Sequence, residues 1–351
     1  MKELGLLFTN LSIDPTYDCN ESCISCKCSE LSQVFRKWNT LSLDKYRLLI
    51  DDFIKIGGKS VSIFGGEPLM FQNTFPILQY AKLKGLSTSI TTNGTLLSNE
   101  DILSKLKECD LDQIVLSVMN VNDSYVKLHG RDNFTLFVNG VNKLLFDPCI
   151  HINDISFHMT IQKKNYKNLA DVVRLAAELG VRKVTSQYVS IVPLEINKNT
   201  ERELGEAFHN EMFHWNIDRN VLISSEDIEQ CKESICEALE VSKTLDILLY
   251  VDPIFYSERM SESLVTGCFH ANGYCELKDI IVLPNGMVGA CPMLQHYIIG
   301  DLNSQSLSEI ISSKAFVNLT EKVSRGNFLP ICDYCCRHSM FYKEDSVKNG
   351  R

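Results

Sequence analysis

Cys19, Cys23 and Cys26 stand in the run TYDCNESCISC, separated by three residues and then two. Three thiolates on one short loop can hold three irons of a [4Fe–4S] cluster, because soft sulfur ligands suit iron–sulfur chemistry. The fourth iron then has no protein ligand, and an open coordination position is what a reactive metal centre needs. A zinc knuckle or a group of buried thiols would use the same residues. Cys28 could serve as a fourth ligand only if the chain folded back sharply after Cys26. Farther on, Phe64-Gly65-Gly66-Glu67-Pro68 sets a carboxylate beside two glycines. The glycines let backbone approach a ligand, and a carboxylate with backbone carbonyls forms an acceptor set for an ammonium group. Thr91-Thr92-Asn93-Gly94, then Ser117, then Asn120, Asn122, His129 and Arg131 add further polar groups. Each alone reads as an ordinary turn; in this succession they read as one polar site over an iron.

A second cysteine group lies near the other end: Cys268, Cys275, Cys291, Cys332, Cys335 and Cys336. Ten of the 14 cysteines thus fall into two terminal groups, which buried structural cysteines do not do. Without an export signal such clusters bind metal more often than they form disulfides. Cys149, Cys231 and Cys236 are unassigned thiols, read as ordinary buried or helix-face cysteines, with service as a hydrogen donor the alternative.

The elements that position these residues follow from periodicity. Strands are expected at 11–14, 60–64, 87–92, 113–118, 156–161 and 183–189, with helices between them. Tyr46, Leu49, Ile50 and Phe53 share one helical face, as do Leu169, Val172, Val173 and Ala176. Gly57-Gly58, Gly85 and Gly180 stop helices. Strand and helix alternating in this way predict an α/β protein of parallel strands with right-handed crossovers. The sheet is either a curled partial barrel or a flat doubly wound sheet, and both place the ligand at the carboxyl ends of the strands. From 196 to 262 the rhythm fades into a helical bridge, with charged helical stretches at Glu201–Phe213 and Ser225–Lys243. The run DIIVLPNGMVGAC reads as a hairpin turning at Pro284-Asn285-Gly286.

A chain of 351 residues holds about two domains. With 44% hydrophobic residues it can build a core. A net charge of −9 without a basic run argues against nucleic acid as partner. No apolar stretch approaches the ~18 residues of a membrane helix, and the opening MKELGLLFTN does not read as a secretory signal. The expectation is a cytoplasmic protein without membrane partners.

Cys19, Cys23 and Cys26, Gly65-Gly66-Glu67-Pro68, Thr92-Asn93-Gly94 and Ser117 together resemble the radical S-adenosylmethionine (SAM) superfamily over about residues 10–192. The resemblance implies a partial (β/α)6 TIM-like barrel whose unique iron is chelated by SAM. It implies that Glu67 and the two glycines accept from the methionyl amine. Ser117 would contact the ribose or carboxylate and Arg131 would pair with the carboxylate. Thr92 and Asn93 would line the pocket, with Gln162 and Val189–Val192 near the adenine. The residue before the third cysteine, usually aromatic in the family, is Ser25.

The C-terminal group, Cys268-x6-Cys275-x15-Cys291 followed by Cys332-x2-Cys335-Cys336, resembles the SPASM/twitch extension. That implies one auxiliary [4Fe–4S] cluster, held by Cys268, Cys275 and Cys291 with a fourth ligand from Cys332 or Cys335; a zinc ribbon is the alternative. The domains expected are a core barrel at 1–195, the bridge at 196–262 and an auxiliary-cluster domain at 263–351. The implied activity is reductive cleavage of SAM to a 5′-deoxyadenosyl radical that abstracts hydrogen from a peptide. The electron would come from a low-potential donor such as flavodoxin or ferredoxin. Only 18 residues precede Cys19, so no leader-binding domain is expected before it. The alternatives are a small-molecule dehydrogenase acting on a sugar or aminocyclitol, and a non-catalytic iron–sulfur sensor.

Overall fold

A computed structural model describes residues 8–36, 39–205, 219–252, 258–268, 275, 277–294, 297–324 and 327–335. Ten strands make one sheet: β1 (Asn10–Ile13), β2 (Ser60–Ile63), β3 (Ser87–Thr92), β4 (Gln113–Ser117), β5 (Asp154–Ile161), β6 (Lys183–Tyr188), β7 (Leu248–Asp252), β8 (Asp279–Val282), β9 (Met287–Gly289) and β10 (Gly300–Asp301). Their order is β10-β9-β8-β1-β2-β3-β4-β5-β6-β7. From β8 through β1 to β7 every pairing is parallel; β9 and β10 add an antiparallel edge.

The six expected barrel strands are present in the expected succession, with helices in the connections. Helix Leu43–Lys55 shows how sequence sets these. Ser42 caps it by accepting from the Lys45 N–H, Asp44 and Lys55 sit at the ends that suit their charges, and Tyr46, Leu49, Ile50 and Phe53 are buried. Helix Leu169–Leu179 buries Val172, Val173 and Ala176 and ends at Gly180, whose φ is +89°.

Two features differ from the sequence reading. β7 lies inside the stretch read as a helical bridge, where no strand is expected, and pairs with β6, placing Asp252 beside Gln187. In the same stretch, helix Ile228–Thr244 matches the expected Ser225–Lys243. Helix Leu194–Leu204 covers the start of Glu201–Phe213, and 206–213 lie outside the described residues. The hairpin β8–β9 forms as expected, yet β8 also pairs with β1, Ile280 beside Leu11, so it extends the barrel sheet.

Parallel strands covered on both faces usually read as continuous apolar runs. Here they alternate. Leu11, Ile13, Val61, Ile63, Ile90, Ile114 and Leu116 are buried in one core with the helices. The other face carries half-buried polar residues such as Ser62, Ser89, Ser117 and His158. Ser89 Oγ lies 2.8 Å from Ser62 Oγ, and Ser62 Oγ donates to Asn10 Oδ1 at 2.9 Å, linking β1, β2 and β3 by hydroxyls. The sheet therefore carries an inner face with polar, half-buried side chains opposite its apolar core face. Among the described residues, no helix is long and apolar enough to cross a membrane.

Candidate functional site

The site gathers at the carboxyl ends of β1 to β5. After β1 the chain forms the cysteine loop, which ends in helix Cys28–Phe35. The Glu21 N–H donates to Cys19 Sγ at 3.4 Å, and Asn93 Nδ2 lies 3.8 Å from the same sulfur. Cys23 Sγ faces His129 Nδ1 at 3.8 Å. The Cys28 N–H donates to Cys26 Sγ at 3.4 Å. Burial pushes the Cys19 thiol up to about 11 and raises Cys23 further, with Cys26 adding to both. Cys26 is drawn below the ordinary thiol value, first by the Cys28 thiol beside it. The Cys28 thiol, beside Cys26, also donates to the Gly65 carbonyl at the next strand end at 3.5 Å.

The glycine turn after β2 packs directly on this loop. A Cβ on Gly65, where φ is +101°, would lie 2.4 Å from the Thr16 carbonyl oxygen; one on Gly66 would lie 2.3 Å from that of Asp18. The Gly66 N–H donates to Thr16 and the Glu67 N–H to Asp18, both at 2.8 Å. Only glycine permits this approach. Glu67 is fully buried. Its Oε1 accepts from the Leu69 N–H at 3.0 Å and the Thr92 hydroxyl at 2.7 Å, and its Oε2 accepts from the Asn93 N–H at 2.8 Å. Burial raises it to about 7 against these bonds. The carboxylate thus fastens the β3 turn to the β2 turn, and Oε2, with one donor among the described residues, keeps acceptor capacity.

The remaining expected residues divide. Thr92 and Asn93 join the cluster loop: Asn93 Nδ2 donates to Asn20 Oδ1, and Asn20 Nδ2 donates to Thr95 Oγ1, both at 2.8 Å. Ser117 is half-buried on the inner face beside His158. Arg131 is exposed and acts on the Glu21 carboxylate of the loop. Gln162, just past β5, is 1% exposed, yet neither its Oε1 nor its Nε2 has a hydrogen-bond partner among the described residues. The β6 end beyond it, Val189 and Ile191, packs with Val221 and Leu222.

Sequence reasoning missed several contributors. Asn165 Nδ2 donates to the carbonyls of Met119 and Thr160, and its Oδ1 accepts from the Gln162 N–H, tying the ends of β4 and β5. Glu21 Oε1 accepts from the Tyr125 hydroxyl and from Asn133. His158 Nδ1 lies 2.9 Å from Thr185 Oγ1, whose own proton goes to the Phe157 carbonyl. Its Nδ1 is therefore the donor and Nε2 carries the lone pair; burial holds the ring neutral, near 4. Only partner geometry distinguishes these from other polar residues.

In the C-terminal group, Cys291 is pushed up to about 12 by burial and then by the charges of Cys335 and Cys332. Cys332 is pushed to about 12 by burial, with Cys275 and Cys335 contributing. Cys332 is thus near enough to Cys275, Cys291 and Cys335 to feel or exert charge, and Cys291 near enough to Cys335. Cys268 follows helix Glu258–Thr266 and sends its N–H to Thr266 Oγ1. Cys336 lies outside the described residues. The segment docks at the carboxyl end of the barrel, where Ser190 Oγ donates to the Tyr334 carbonyl and the Ile331 N–H donates to Thr200 Oγ1. Among the described residues, no three His, Cys, Asp or Glu converge closely enough to share one metal ion.

Residues 13–145 match the family model of the radical SAM superfamily, and residues 274–336 match SPASM, an iron–sulfur cluster-binding domain. This chain belongs to the radical SAM superfamily and carries a SPASM domain. It is 25% identical over 324 residues to an AdoMet-dependent heme synthase of Methanosarcina barkeri, covering 91% of this chain and 86% of that one. A probable GTP 3′,8-cyclase of Sulfurisphaera tokodaii is 27% identical over 198 residues, 56% of this chain and 60% of the cyclase. In fold it is similar to Streptococcus suis SuiB bound to S-adenosylmethionine (TM-score 0.65, 14% identity, 98% of this chain and 76% of SuiB). It is also similar to anSMEcpe with bound AdoMet (TM-score 0.59, 15% identity, 96% and 91%).

The radical SAM and SPASM domains take S-adenosylmethionine and [4Fe–4S] clusters. The chain's own residues fit them. Buried amides are almost always paired, so the unpartnered Gln162 side chain at a strand end marks a place for an outside group. The backbone-on-backbone contact at Gly65 and Gly66 keeps the turn free of side chains beside the thiols. The SPASM match begins after Cys268 and spans Cys275, Cys291, Cys332 and Cys335.

Proposed function

We propose that this radical SAM protein abstracts hydrogen from a peptide received on the inner polar face of its barrel. When bound, the reduced first cluster supplies the electron that splits SAM into methionine and a 5′-deoxyadenosyl radical. Cys19, Cys23 and Cys26 would hold that cluster. Carbonyls of the Gly65-Gly66 turn would receive the methionyl amine, with Thr92 and Asn93 beside it. Ser117 and Arg131 would meet the ribose and carboxylate, and Gln162 the adenine. Cys275, Cys291, Cys332 and Cys335 would hold one auxiliary [4Fe–4S] cluster at the same end of the barrel, a set that differs from the sequence reading by replacing Cys268. A low-potential donor such as flavodoxin or ferredoxin would supply electrons.

The observation that carries the peptide reading is the inner face itself. Its hydroxyls, together with the lone pair of His158 Nε2, are partners for backbone N–H and C=O groups. A flat apolar macrocycle would leave them unpaired. The fold neighbours SuiB and anSMEcpe have structures with precursor peptide SuiA and with the Cp18Cys peptide. A small-molecule substrate is the second reading, because a relative that matches 91% of this chain is a heme synthase. The test is anaerobic incubation of the reconstituted protein with SAM, reductant and either a short peptide encoded beside its gene or small molecules. The small-molecule panel is an iron porphyrin and an aminocyclitol. Formation of 5′-deoxyadenosine with a peptide losing two hydrogens supports the proposal. Turnover of a small molecule with inert peptides replaces it with the second reading. Bound iron without SAM cleavage would leave an iron–sulfur sensor.

A further inference from the structure

His129 lies outside the cysteine loop but is aimed into it. Its ring stacks on Tyr125, with centroids 3.6 Å apart and planes 3° from parallel. The Met119 backbone N–H donates to Nε2 at 3.1 Å. A ring nitrogen that accepts carries a lone pair, so the proton of this imidazole sits on Nδ1. Nδ1 faces Cys23 Sγ at 3.8 Å. The loop and the helix Tyr125–His129 are also joined through their backbones. The Ser22 N–H donates to the His129 carbonyl at 2.9 Å, and the Ile24 N–H to that of Leu128 at 3.0 Å. A Cβ on Gly130 would stand 2.5 Å from the Ser22 carbonyl oxygen, so the helix end and the loop are in backbone contact. The donor is fixed by a backbone bond on one side and a stacked ring on its face.

We propose that His129 is a positioning residue that donates its Nδ1–H to the Cys23 thiolate and thereby sets the reduction potential of the first cluster. Hydrogen bonds to the sulfurs are among the factors that set such potentials, because a donor stabilises the form with more negative charge on sulfur. His129 is not a ligand in this arrangement, since its Nε2 is taken by Met119 and its Nδ1 carries the proton. The inference rests on the three-cysteine cluster proposed above.

The test is an EPR-monitored redox titration of the full chain reconstituted with iron and sulfide, comparing wild type with H129F, H129N and H129Q. H129F keeps the stacking and removes the donor; the first cluster should titrate at a more negative potential, with the auxiliary cluster unmoved. The H129N amide N–H reaches the Nδ1 position and should return the potential toward wild type. H129Q places its amide farther out, at the Nε2 position, and should not. If H129F fails to assemble, the H129N and H129Q pair decides alone. A wild-type potential in H129F, or equal shifts in H129N and H129Q, would overturn the proposal. Wild-type protein that forms no three-cysteine cluster would overturn the cluster assignment instead, and is distinguishable by its iron content.

Discussion

The Asn93 backbone N–H donates to Glu67 Oε2 at 2.8 Å, which fastens the turn after β3 to the turn after β2. Together with the Thr92 hydroxyl on Oε1, this bond makes the buried carboxylate a clamp between two strand ends. The turns can then hold a cofactor without rearranging, because their relative position is set by the protein alone.

Replacing Glu67 with Gln tests the clamp. The amide offers one oxygen where the carboxylate offers two, and its NH2 must face either the Asn93 N–H or the Thr92 and Leu69 donors. Leaving a buried donor unpaired costs ~1–3 kcal/mol. Thermal unfolding should show that loss, and SAM titrations should show weaker binding. Unchanged stability would mean the carboxylate is not the clamp.

Gln162 should behave in the opposite way. Its side-chain amide is buried without a partner among the described residues, so Gln162→Met removes an unsatisfied group of similar size. The SAM-free protein should gain ~1 kcal/mol, while SAM affinity falls. Equal SAM affinity in calorimetry would show that the amide faces no cofactor.

Iron analysis separates the candidate auxiliary ligands. Cys291→Ala should remove one cluster, about four irons, and leave the first cluster's EPR signal in place. Cys268→Ala should leave the iron content as it was. A loss in both variants would restore Cys268 to the ligand set.

Asp14, at the end of β1, gives a pH dependence. Burial raises its carboxyl from 3.8 to about 6, against the hydrogen bond donated by the Tyr17 hydroxyl. The folded chain thus holds this proton more tightly than the unfolded one. Ionised Asp14 destabilises the fold above pH 6, and that penalty is relieved as pH falls from 6 toward 4. The full shift corresponds to ~3 kcal/mol, and water at a half-buried side chain reduces it to ~1 kcal/mol. Asp14→Asn should therefore raise the unfolding temperature at pH 8 and have little effect at pH 4. A gain of equal size at both would assign the effect to packing.

The parts of this molecule written in local period were readable from the chain. The alternation SVSI predicts β2, the spacing of Tyr46, Leu49, Ile50 and Phe53 predicts a helix, and two adjacent glycines before Glu67 predict a close approach. β7 was not readable, because Leu248 and Tyr250 are exposed and only Val251 is buried, which leaves no apolar alternation to detect. Which thiols meet was also hidden. Cys268 is nearer in sequence to Cys275 than Cys332 is, yet Cys332 and Cys275 act on each other across 57 positions, 332 − 275. The role of Glu67 depended on partners 25 and 26 residues away.

The pairing of β8 with β1 binds the two ends of the polypeptide into a single fabric. A shortened version ending before Asp279 would bare the hydrogen-bonding rim of β1, the strand that leads into the cysteine loop. Such a rim invites pairing with other copies, so truncation should yield aggregates instead of a working half.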